Sequence, residues 1–156
     1  MSGFSFQETM RGTWHPTGQP QRQRPIQFEC VAAVNHTRSY LQDGYMSLQG
    51  KMRAEGLAGH ADCRGSLTIL LPLKRQLRYD LAFRGDDGSL YRFIGEKHVR
   101  YTNPLRTMTH LSGQLLDATG QPIGLAALTF DLRDLPGMVK SYLQSLRAGH
   151  PLLEAR

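Results

Sequence analysis

The chain has 156 residues, a length that suits one domain, and its 40% hydrophobic content is enough for a single apolar core. The net charge of +6 is uneven: residues 1–78 hold 10 basic and 5 acidic residues, residues 79–156 hold 9 and 8. Two cysteines, Cys30 and Cys63, exclude a disulfide scaffold and a cysteine-built zinc cluster, and the longest apolar run, residues 69–73, is far too short to span a bilayer. No basic-then-apolar leader opens the chain, so the expectation is a cytoplasmic protein with reduced thiols and no cofactor. The basic first half suits phosphates, anionic lipid or an acidic protein, and equally a solvated surface.

The first element is the most informative. Phe4, Phe6, Glu8 and Met10 alternate with Ser5, Gln7, Thr9 and Arg11, the period of a strand. A carboxylate thus stands in an apolar row, and burying it demands a partner, a proton or a cavity. Residues 13–25 contain three prolines, two arginines and no aliphatic residue, which predicts a loop. Residues 26–31 read as the next strand, residues 37–42 as a helical turn ended by Asp43-Gly44, and residues 46–53 as a strand of clear period. Residues 65–71 form the most apolar strand, stopped by Pro72.

Leu77, Tyr79, Leu81 and Phe83 alternate with Arg78, Asp80, Ala82 and Arg84, and residues 85–88 (Gly-Asp-Asp-Gly) supply a hairpin turn to a return strand over residues 90–101. On that strand Tyr91, Phe93, Gly95, Lys97, Val99 and Tyr101 share one face, while Arg92, Glu96, His98 and Arg100 share the other. Residues 107–116 and 123–132 form a second hairpin about the turn at 117–120. Asp134 as N-cap, Pro136 in the first turn and an apolar stripe through Leu135, Met138, Val139, Tyr142, Leu143 and Leu146 predict a C-terminal helix over 134–148. The sum is an all-β domain over residues 1–156: about eight antiparallel strands in a calycin- or lipocalin-like barrel, or a sandwich, with a C-terminal helix. An edge strand left open would pair two copies into a homodimer.

Several segments resemble a β-domain attached C-terminally to some bacterial glucose–methanol–choline oxidoreductases of the cholesterol-oxidase type, and found beside alpha/beta-hydrolase-like proteins. Phe6-Gln7-Glu8-Thr9-Met10-Arg11-Gly12 is similar to its F-x-E-T-M-x-G opening. Leu48-Gln49-Gly50 and Glu55-Gly56-Leu57 resemble its L-x-G and P-G-L pair. Gly65-Ser66-Leu67-Thr68-Ile69-Leu70, Leu77-Arg78-Tyr79-Asp80-Leu81 and Gly95-Glu96-Lys97-His98-Val99-Arg100 resemble three further strands of it. Where the family continues with D-D-P-G and W-x-D-T-T, this chain has Tyr101-Thr102-Asn103-Pro104 and Leu105-Arg106-Thr107-Met108-Thr109. The resemblance implies an accessory module, with a flavin oxidoreductase or a hydrolase as partner. It implies no oxidase activity, since the chain has no G-x-G-x-x-G after a strand.

Glu8 is the sharpest candidate site. It either fixes a ligand group or pairs structurally with Arg78, Arg92 or Arg100. His98 and Arg100 line the interior if their strand face points inward, and an ordinary solvated face if it points outward. His60, Asp62 and Cys63 are metal-capable but lack a second cluster, and their place between strands suits a loop, so no metal site is expected. Trp14, Arg22 and Arg24 in the proline-rich segment suit a partner contact or a surface loop. Arginines near tyrosines suit stacking on nucleic acid, but no RNA-binding fingerprint or basic run accompanies them. The expected function is non-enzymatic binding of a lipid- or sterol-like molecule inside the barrel. Phe4, Phe6, Met10, Tyr79 and Phe83 would form the apolar lining, and Glu8 the polar anchor, with His98 and Arg100 beside it. A docking module for an oxidoreductase or hydrolase is the alternative, and an enzyme using Glu8 or His98 in acid–base work stands behind both.

Overall fold

Period-two alternation, repeated eight times with turns between, turns one face of every strand towards a common axis. A computed structural model describes residues 4–34, 44–70, 76–98 and 110–130. The strands are β1 (Phe4–Pro16), β2 (Arg24–Val34), β3 (Tyr45–Ala54), β4 (Ala58–Leu70), β5 (Gln76–Arg84), β6 (Leu90–His98), β7 (His110–Leu116) and β8 (Pro122–Phe130). Each pairs antiparallel with the next, and β8 returns to β1, closing an up-and-down barrel of the lipocalin-like kind. Met10 sits in the closing seam, opposite Phe28 on one side and Phe130 on the other. The closing seam between β1 and β8 runs from Met10 to Pro16, and among the described residues Phe4–Thr9 pair with β2 alone. No helix among the described residues is long and apolar enough to cross a membrane.

Two segments expected as loops are strand. β1 continues through Trp14 and His15 to Pro16, so the connection to β2 spans residues 17–23 rather than 13–25. The alternation simply runs on: Trp14 is buried and Thr13 is exposed. Pro16 is tolerated because it is the last residue of the β1–β8 ladder. Residues 60–63 lie within β4, not before it. Register shifts between Met52 and Ala54, which face Ala61 and Ala58, so β4 carries one extra residue there. That bulge breaks the period between Ala58 and Ala61 and hides the strand from a periodicity reading. The expected turn at 37–42 and the expected helix at 134–148 lie outside the described residues.

The interior is packed by large side chains. Phe28 meets Tyr79 at 6.0 Å and Phe93 at 5.9 Å between ring centroids, in tilted geometry. Phe93 fits because Gly95 and Gly113, opposite each other across β6 and β7, leave its ring a gap; a Cβ on Gly113 would come within 2.6 Å of it.

The two ends of the barrel differ. At one end the connections are residues 17–23, 55–57, 85–89 and 117–121. Trp14 plugs this end: its indole Nε1 donates to the Glu55 carbonyl at 3.1 Å, and the Arg24 guanidinium lies 5.7 Å from its ring centroid. The Asp86 amide donates to the Leu57 carbonyl at 2.8 Å, and the Asp86 carboxylate accepts from the Gly59 amide, tying two of these connections together. Tyr91 donates its hydroxyl to Asp87 at 2.8 Å. At the opposite end, which we term the mouth, β2 leads into residues 35–43, β4 into 71–75 and β6 into 99–109.

Candidate functional site

Glu8 points into the barrel, as its place in the apolar row of β1 requires. Tyr79 on β5 donates its hydroxyl to Glu8 Oε1 at 2.6 Å. Lys97 on β6 donates from Nζ to Glu8 Oε2 at 3.3 Å and lies 5.0 Å from the centroid of the Tyr79 ring. All three are buried, with Glu8 6% exposed, Lys97 3% and Tyr79 0%. β1 and β5 stand four strands apart in a ring of eight, so this network crosses the lumen and joins opposite walls. It lies near the mouth: Lys97 is one residue from the end of β6, Tyr79 three from the start of β5.

The charges are matched inside the barrel, and each carboxylate oxygen has a donor. Burial pushes the Tyr79 phenol well above the ordinary tyrosine value of 10.0, with the negative charge of Glu8 and the hydrogen bond to it adding to the effect. The fold therefore favours the neutral phenol.

Of the arginines expected to pair with Glu8, the two among the described residues do not. Arg78 and Arg92 are exposed on the outer wall, where Arg92 pairs with Asp80. Strand parity decides this. Tyr79 and Lys97 fall on the inward positions of their strands, and the arginines fall one residue away. Lys97 was the residue the sequence reading missed as a partner, although its inward parity beside Tyr91 and Phe93 was visible.

The other candidates scatter. Met10 and Tyr79 are fully buried near Glu8, whereas Phe83 stacks on Tyr91 at 5.8 Å in the core. Phe4 and Phe6 belong to β1, opposite Val34 and Ala32. His98 is exposed on the outer wall, with Nε2 3.5 Å from Glu96 Oε2, so it does not join Glu8. Arg100 lies outside the described residues. Trp14 is buried in the plug, Arg24 half-buried over it, and Arg22 exposed, donating to Gln19 Oε1 at 2.9 Å. Of the three expected interaction residues, Arg22 alone is exposed.

Cys30 sits opposite Glu8 in the register, and Cys63 sits opposite Gly50, the neighbour of Cys30 on β3. With no side chain at Gly50 between them, the two free thiols meet at 3.5 Å. The hydrogen bond with Cys63, burial and the nearby charge of Glu8 push the Cys30 thiol up. His60 and Asp62 point outward, and Asp62 pairs with Lys51. Among the described residues no three metal-capable side chains converge. A groove of about 660 Å³ lies on the outer wall among Gln49, Asp62, Arg64, Ala82, Arg84 and Leu90; neither Glu8 nor Lys97 lines it. In comparisons with protein-family models, with curated proteins and with solved structures, nothing matches the chain.

Removing one partner of a buried pair strands the other charge. Lys97→Met should cost about 3–5 kcal/mol in urea denaturation. Adding Glu8→Gln to it should restore most of that loss, and additive effects would contradict the pairing. The raised Tyr79 phenol contributes stability that is fully present below pH 10 and is lost as pH rises through its folded-state value. Absorbance at 295 nm should therefore show equal tyrosinate in folded wild type and folded Tyr79→Phe above pH 10. The denatured proteins should differ by one phenol.

Proposed function

We propose that the barrel binds a small apolar molecule, lipid- or sterol-like, without chemical change, and that the ligand's oxygen-bearing end sits on Glu8, Lys97 and Tyr79. The observation that carries this reading is a charge-balanced polar network inside an apolar barrel, near the end opposite the Trp14 plug. A buried ion pair is weak support for stability, because well-packed apolar side chains of the same volume are often as stabilising or more so. The pair offers what an apolar core lacks, a fixed donor and acceptor for a ligand. An ammonium has three N–H donors. Among the described residues Lys97 uses one on Glu8 and turns another towards the Tyr79 ring, which leaves capacity for a ligand oxygen.

Because Tyr79 and Glu8 cross the lumen, the ligand lies on the mouth side of them, on a floor rather than in a through-channel. Met10 and Tyr79 belong to that floor, and Phe83 belongs to the core beneath it.

The outer groove favours a second reading. Arg64 and Arg84 flank it and Leu90 is exposed within it, so an acidic, partly apolar surface would fit there. Docking onto an oxidoreductase or hydrolase, as the resemblance implies, would use this wall and leave the interior network without a role.

Native mass spectrometry of freshly purified protein, followed by organic extraction, separates the two. The ligand reading expects a discrete one-to-one mass increment that the Lys97→Met/Glu8→Gln protein lacks. A bare mass that persists after incubation with fatty alcohols and sterols would contradict it.

A further inference from the structure

Lys97 is a primary amine in an apolar interior, one residue from the mouth end of β6, with a carboxylate at 3.3 Å. Amines in apolar, water-poor surroundings condense with carbonyl compounds, because exclusion of water opposes hydrolysis of the product; here the ammonium must first give a proton to the carboxylate beside it. Glu8 is placed to manage the protons. Its Oε1 is held by the Tyr79 hydroxyl at 2.6 Å, which leaves Oε2 facing the nitrogen. Lys51, by contrast, is half exposed and paired with Asp62 on the outer wall, in water and without an enclosed binding space.

We propose that Lys97 forms an imine with the carbonyl group of an apolar aldehyde or ketone, which makes carbonyl compounds the ligand class of the barrel. This rests on the ligand-binding reading of the same site. Glu8 Oε2 takes one proton from the ammonium, and the freed nitrogen lone pair attacks the carbonyl carbon. A C–N bond forms and the C=O π pair moves to oxygen. Oxygen then collects two protons, one returned through Glu8 and one from nitrogen, and leaves as water. The third ammonium proton stays on the iminium nitrogen. Net charge is unchanged, no electron donor or acceptor is needed, and Glu8 is again a carboxylate, now the counter-ion of the iminium. The buried pair is thus preserved through the reaction, so the product carries no uncompensated charge. Tyr79 stays neutral throughout and keeps the carboxylate aligned.

The full chain is incubated with decanal, with and without sodium cyanoborohydride, and analysed by intact mass and peptide mapping. The expected result with reductant is one adduct per chain at Lys97, heavier than the protein by decanal less one oxygen. Lys51 should be labelled far less, and Lys51→Ala should leave the adduct unchanged. Glu8→Gln should slow trapping by about 10²-fold, the scale of a positioned acid–base group. If that variant fails to fold, Lys97→Met/Glu8→Gln should fold and lose the one-per-chain adduct seen by intact mass, and an undiminished adduct would overturn the proposal. Two outcomes overturn the proposal and are distinguishable. If decanal and decan-1-ol are both retained non-covalently but Lys97 is labelled no more than Lys51, the imine falls and ligand binding stands. If neither is retained and Lys97 is unlabelled, both readings fall.

Discussion

A carboxylate inside an apolar barrel sets the terms for everything around it. Unpaired, Glu8 would carry a desolvation cost of several kcal/mol against a net stability of only about 5–15 kcal/mol for a domain. The chain meets that cost with a donor on each oxygen, drawn from β5 and β6 on the far side of the lumen. The same contact that satisfies the charge therefore joins opposite walls and fixes which side chains can lie beneath it. The aromatic cluster of Phe28, Tyr79 and Phe93 packs directly on this crossing, with Tyr79 belonging to both.

The two ends of the barrel are built differently. Trp14 on the Glu55 carbonyl, Arg24 over the Trp14 ring and Asp86 on the Gly59 amide tie one end together. The polar network sits towards the other end, one residue from the end of β6 and three from the start of β5. The buried thiol of Cys30 lies opposite Glu8 in the register but contacts Cys63, so the two are better read as small core side chains than as part of the polar network. On the outer wall the charges are of another kind: Lys51 with Asp62 and Arg92 with Asp80 are solvent-facing pairs worth little to stability.

Much of this was legible in the sequence, because alternation reports a strand and its inward face with no knowledge of its neighbours. Glu8 stood out in the row of β1, and the parity of Tyr79 and Lys97 was equally plain. Their meeting was not, since two inward faces do not say which strands lie across a lumen from each other; that follows from ring closure. Local punctuation misled in two places. The prolines at 16, 20 and 25 made residues 13–25 look like one loop, whereas Pro16 sits at a ladder's end and Trp14 is core. The extra residue in β4 broke the period across residues 58–61 and disguised a strand that carries Cys63 inward. Arginine was the obvious guess for the partner of Glu8, and parity places Arg78 and Arg92 outside.

The central claim is that the Glu8–Lys97–Tyr79 network receives a ligand from the mouth. Titration of isotopically labelled protein with decan-1-ol, followed by two-dimensional NMR of backbone amides and lysine ammonium groups, tests this most directly. The account predicts saturable shifts at Glu8, Val34, Leu77 and the Lys97 ammonium, with Arg64 and Arg84 unmoved. Shifts confined to the outer groove, with the Lys97 ammonium unchanged at saturation, would contradict it.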